Sequence, residues 1–164
     1  MSSVLWRCLQ WPGHEVGRLE GRVLSGTAAF SMKGDVCDLA YEILCNDDWS
    51  TQRVRVSGRV GDRRIDVNLT AKDLAPSVDI DLNFSPSTNT LPIRRLGLKI
   101  GERKEVIAAW LRFPSFTLEP LEQAYTRLTE NTYRYENSAS GFTAELRVNE
   151  EGLVLDYGDI WKAE

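Results

Sequence analysis

The sequence predicts a mainly β fold, a mostly antiparallel sheet curled enough to protect its own edges, with little helix to cover it. Three observations point there. From residue 49 onward apolar and polar residues alternate with a period of two, the mark of strands with one buried face. Two alternating runs are joined by Gly61-Asp62, a two-residue turn suited to a tight hairpin. Helix signals are sparse and coincide only once, between Ser87 and Leu96.

Taken in chain order, Val4–Gln10, Leu19–Leu24 and Leu39–Cys45 read as strands. The hairpin comes next: Arg53–Val60 against Arg63–Thr70, pairing Val54 with Leu69, Val56 with Val67 and Gly58 with Ile65. That register puts every apolar side chain on one face and Arg55, Ser57, Arg59, Arg64, Asp66 and Asn68 on the other; a one-residue slip would mix the faces. In 77–84, Val78, Ile80, Leu82 and Phe84 share a face. Ser87–Leu96 offers Thr90 or Asn89 as a cap, Pro92 near the first turn, and Arg94 and Arg95 near the end, which predicts one short helix. A second hairpin is expected around Gly101-Glu102, with Glu105–Phe113 as its return strand. The segment 117–128 fits either a helix or a strand. Thr132–Glu136 and Phe142–Val148 alternate, and Asn149–Gly152 turns the latter into Leu153–Tyr157.

Composition bounds the function. Of 164 residues, 42% are hydrophobic and 27% charged, so the chain is globular, and with no repeat or linker it is expected to form a single domain over 1–164. A net charge of −4, from 20 basic against 24 acidic residues, disfavours a nucleic-acid partner. No apolar run approaches the roughly 18 residues of a transmembrane segment, and the start lacks the pattern of a secretion signal. A cytoplasmic location follows as the expectation, with Cys8, Cys37 and Cys45 as free, buried thiols. The single histidine, His14, beside Pro12-Gly13, reads as a turn residue. Neither a metal site nor a cofactor is signalled, and no nucleotide, zincin or hydrolase motif is present.

The segment 77–84 carries the strongest chemical signal. Alternation places Asp79, Asp81 and Asn83 together on the face opposite Ile80 and Leu82, as neighbours about 6–7 Å apart. Such a row of acceptors suits sugar hydroxyls, a cation or arginines; the bland alternative is a solvated strand face. Arg94 and Arg95 at the helix end would either leave those aspartates to a ligand or neutralise them in an internal salt bridge. Two adjacent aspartates on one strand point in parallel, which does not suit glycoside hydrolysis unless Glu15, Glu42, Glu119 or Asp156 opposes them. The five tryptophans and five tyrosines serve a core or a pocket equally well. The arginines of the hairpin read as a charged, protected strand face.

The run Ser77-Val-Asp-Ile-Asp-Leu-Asn-Phe-Ser-Pro-Ser-Thr-Asn-Thr-Leu-Pro-Ile-Arg-Arg-Leu96 resembles the signature of the bacterial Putative glycolipid-binding family, a domain of unknown function. Trp11 and Glu15, Tyr41 with Asp48-Trp49, Arg112–Pro114, Gln123–Tyr125, Tyr133–Tyr135 and Gly152–Tyr157 extend the likeness over nearly the whole chain. The resemblance implies a large, curled, open barrel-like antiparallel sheet wrapped around one short helix, a homodimer, and remote similarity to lipoprotein localisation factors. It also implies an acidic, aromatic-lined pocket for a sugar or glycolipid headgroup. By motif position the ligand-binding residues would be Asp79, Asp81, Asn89, Arg94 and Arg95, with Glu15, Tyr41, Gln123 and Tyr125 in addition; strand alternation adds Asn83 to Asp79 and Asp81. The expected function is non-catalytic binding of a glycolipid or sugar-containing small molecule. The alternatives are a structural or interaction dimer without a small ligand, and a carboxylate-dependent enzyme acting on a glycolipid.

Overall fold

The computed structural model describes residues 1–164. The first half is a meander of six antiparallel strands: β1 (Ser2–Cys8), β2 (Gly13–Glu20), β3 (Val23–Met32), β4 (Asp35–Cys45), β5 (Thr51–Val60) and β6 (Arg63–Thr70). The β5–β6 register pairs Val54 with Leu69, Val56 with Val67 and Gly58 with Ile65, as the alternation requires. The expected strand Leu19–Leu24 is instead the end of β2, a turn at 21–22, and the start of β3. Leu19 faces Leu24 across that turn and both are buried, so two strands imitate one alternating run. His14 lies within β2 rather than in a turn, exposed and 3.1 Å from Glu164. All three cysteines are free and buried.

The second half begins with α1 (Ala71–Leu74), a short turn the sequence reading missed, and the three-residue strand β7 (Ile80–Leu82). A 3₁₀ turn at Ser87–Asn89 runs into α2 (Thr90–Leu96), which stops at Gly97 with φ +53°, a left-handed conformation that glycine adopts without strain. Then follow β8 (Arg103–Leu111), β9 (Leu118–Arg127), β10 (Thr132–Asn137), β11 (Thr143–Val148), β12 (Val154–Tyr157) and the unanticipated β13 (Trp161–Ala163). The segment that fitted helix or strand is therefore strand β9. No hairpin forms at Gly101-Glu102: the chain before it is α2, and β8 pairs antiparallel with β9 and parallel with β7. Val78 does not join the inward face either. It is 44% exposed while Asp79 is 1% exposed, because regular pairing starts only at Ile80.

The thirteen strands make one sheet in the order β6-β5-β4-β3-β2-β1-β13-β12-β11-β10-β9-β8-β7, antiparallel except at β7–β8, and open between β6 and β7. The two meanders are joined by β1 and β13, where Cys8 pairs with Trp161 and Trp6 with Ala163. The curl is visible in what the seven-residue α2 touches. Its Leu91 packs in a core with residues of β1 to β5, and its Ile93 in a second core with Tyr125, Tyr133 and Tyr135 of β9 and β10. One short helix can meet both halves only if the sheet wraps around it. No helix is long and apolar enough to cross a membrane.

Candidate ligand-binding cavity

The segment from Ser85 to Thr90 is polar, yet Ser85, Ser87, Thr88, Asn89 and Thr90 are all buried inside the curl. Buried polar groups need partners, because each one left unpaired forfeits its hydration. The inward faces of the surrounding strands supply them. Glu15 of β2 accepts hydrogen bonds on Oε1 from the Ser85 hydroxyl (2.5 Å) and from the Tyr41 hydroxyl of β4 (2.7 Å). The Tyr125 hydroxyl of β9 donates to Asn89 Oδ1 (2.8 Å), and Thr90 Oγ1 donates to the Gly152 carbonyl (2.9 Å). Room for Tyr41 comes from Gly26, where a Cβ would lie 2.3 Å from its hydroxyl. Glu15, Tyr41 and Tyr125 therefore anchor a buried turn. Burial pushes the Glu15 carboxyl up to about 7 despite those two bonds, and its Oε2 has no partner.

Asp79, Asp81 and Asn83 do not form one acidic row. The Asp79 carboxylate is gripped by Arg95 in a two-point salt bridge, Nε to Oδ1 at 2.9 Å and Nη2 to Oδ2 at 2.6 Å. Asn83 is exposed, and its Oδ1 accepts the Phe113 amide at 3.0 Å. Only Asp81 combines partial burial with open acceptor capacity. Its Oδ2 accepts from Gln123 Nε2 at 2.6 Å, and the same amide donates to the Tyr135 hydroxyl at 3.0 Å. Enclosure raises the Asp81 carboxyl to about 6, opposed by the bond from Gln123.

Asp81 stands in the wall of a cavity of about 390 Å³. Asn83, Ser85 and Asn89 line it too, and Trp110, Tyr135, Phe142, Tyr157 and Trp161 supply aromatic surface. Of the ten residues singled out from sequence, three therefore reach the cavity, Asp81, Asn83 and Asn89, and Gln123 orients the first of them. Glu15, Tyr41 and Tyr125 lie behind the wall. Asp79 and Arg95 are consumed by each other. Arg94 sits on another side of the fold, over the Trp49 ring at 4.2 Å with its Nη1 donating to the Glu151 carbonyl (2.6 Å). It borders a wider groove of about 820 Å³ whose other guanidinium, Arg127, is occupied by the carbonyls of Leu98, Thr129 and Glu130. Sequence reasoning assigned no role to Ser85 or Asn137, both in the cavity wall. Their signal, a polar residue inside an otherwise inward-facing stretch, is too common to single them out. No group of three or more His, Cys, Asp or Glu side chains is placed to hold a metal.

Comparison with known families gives a match to the model described as "Putative glycolipid-binding" over residues 3–163. A solved structure described as a DUF1089 family protein from Pseudomonas aeruginosa is similar, with 32% sequence identity, a TM-score of 0.84 and 90% of each chain covered. No curated protein matches.

Proposed function

The chain belongs to the Putative glycolipid-binding family, and from that premise we propose that it is a non-catalytic binding protein for a sugar-containing lipid, held in the cavity around Asp81. The observation that carries this reading is the state of the Asp81 carboxylate. An ionised carboxylate offers about four acceptor sites; here only Gln123 fills one from a side chain, and the group borders a cavity with five aromatic side chains. Sugar hydroxyls are donors that would complete the set, and the rings suit the apolar face of a pyranose.

The reading is non-catalytic because Asp81 is the one carboxylate among the cavity-lining residues. Glycoside hydrolysis ordinarily needs two carboxyls flanking the bond. Asp79 is locked to Arg95, and Glu15 is screened from the cavity by Ser85.

Octyl β-glucoside, titrated against tryptophan fluorescence, tests the reading. Asp81→Asn keeps the shape and an oxygen for Gln123 but removes the charge, and hydrogen bonds to charged groups contribute about 1.5–3 kcal/mol. Binding is expected to weaken at least tenfold. In the unsubstituted protein affinity should fall as the pH drops through about 6, where Asp81 takes up a proton. Equal binding by the Asp81→Asn variant, with no pH dependence in that range, would overturn the proposal.

A further inference from the structure

A second cavity, of about 220 Å³, lies beside the first. It is walled by Cys8, Trp11, Phe30, Met32, Phe84 and Phe113, and no charged side chain lines it. Gln10, Asn83, Ile160 and Trp161 line both cavities, so the two adjoin. Phe113 packs edge-on against Phe30 (5.4 Å between ring centres) and Phe84 (6.2 Å). Interlocked rings of this kind hold the walls at a fixed separation.

We propose that the apolar cavity receives a single short alkyl chain attached to the group bound at Asp81. This rests on reading the Asp81 cavity as the sugar site. Two features set the occupant. An apolar chamber beside a polar one calls for a molecule with both characters joined at the boundary. The volume then bounds the covered length: at about 30 Å³ for a group the size of a water, this half-open pocket covers on the order of seven carbons, and any further carbons would lie outside it. A two-chain lipid of bilayer length exceeds it several times over. The ligand class is accordingly a single-chain glycolipid of which about seven or eight chain carbons are covered.

The test is a series of alkyl β-glucosides, butyl, hexyl, octyl, decyl and dodecyl, titrated below their micelle concentrations against tryptophan fluorescence. Each buried methylene should raise affinity about fourfold, up to octyl, after which the series should level off. Met32→Trp, which fills the chamber from the end of β3, should flatten the series while leaving methyl β-glucoside binding unchanged. Should that variant not fold, the chain-length series on the unsubstituted protein decides by itself. Affinity that keeps climbing to dodecyl, or that ignores chain length, overturns the inference. The sugar reading fails separately: an octyl chain on a sugar-free zwitterionic head would then bind as well as octyl β-glucoside, and Asp81→Asn would leave the whole series unmoved.

Discussion

Glu15 shows how far a residue's neighbours decide its chemistry. In the sequence it is one acidic residue among 24; in the fold it is 1% exposed, with one oxygen held by Ser85 and Tyr41 and the other unpaired. Desolvation outweighs both hydrogen bonds, and the carboxyl rises from 4.5 to about 7. The folded state thus holds its proton more tightly than the unfolded chain. Below about pH 4.5 both states are protonated and nothing is lost. Between about 4.5 and 7 the unfolded chain ionises first and stability falls, by on the order of 3 kcal/mol over the window. Glu15→Gln abolishes that titration. Urea midpoints measured from pH 4.5 to 8 should decline clearly less for the variant, leaving the smaller decline due to Asp81, which is raised in the same direction. An unchanged pH slope would refute this account of Glu15. The inward position of Glu15 follows from alternation with Leu19, but its partner Ser85 lies 70 residues away.

Among the elements, β7 carries the most consequence for its length. Three residues form an outer strand, bound in parallel to β8 on one side. On the other side its amides meet side chains rather than a strand: Ile80 N–H donates to Thr51 Oγ1 and Leu82 N–H to Thr88 Oγ1, each at 3.2 Å. Two threonine hydroxyls thus close an edge that would otherwise hold unpaired buried donors. Thr88→Val, nearly the same in shape, leaves the Leu82 amide without a partner. It is expected to destabilise by about 1–3 kcal/mol, read from the urea midpoint, with faster hydrogen exchange at Leu82. Unchanged exchange there would show that the edge is closed in some other way. The same strand explains where pattern reading failed. Strict alternation from Val78 to Phe84 treats 77–84 as one long strand, whereas Arg95 draws Asp79 inward and only Ile80–Leu82 pair. The hairpin β5–β6 was legible to the residue because its register depends on adjacent chain and a two-residue turn. The parallel pairing of β7 with β8 was not, because the chain between them includes α2.

At the scale of the molecule, two meanders are held together where the ends of the chain meet. Besides the β1–β13 ladder, Leu9 N–H donates to the Ile160 carbonyl (2.8 Å), Glu164 N–H to the Leu5 carbonyl (2.9 Å), and the Trp6 indole to the Val154 carbonyl (2.6 Å). Ile160 and Trp161 also wall both cavities. Removing residues 159–164 is therefore expected to uncouple the halves. Calorimetry should show a broadened or split transition at lower temperature in place of a single one, and a sharp transition at the original temperature would contradict the arrangement.

Features written in short stretches of chain were legible from the residues alone: a mainly β architecture from period-two alternation, the pairing of β5 with β6, the one substantial helix at 90–96, and the family from its central run. The remainder depends on the folded arrangement. That arrangement determined that Asp79 answers to Arg95 while Asp81 faces a cavity, that Glu15, Tyr41 and Tyr125 secure a buried turn, and that an apolar chamber adjoins a polar one. The physical reason is range. Strand periodicity and turn geometry are fixed by neighbours in sequence, whereas burial, partner choice and cavity shape depend on which distant faces the curled sheet brings together around α2.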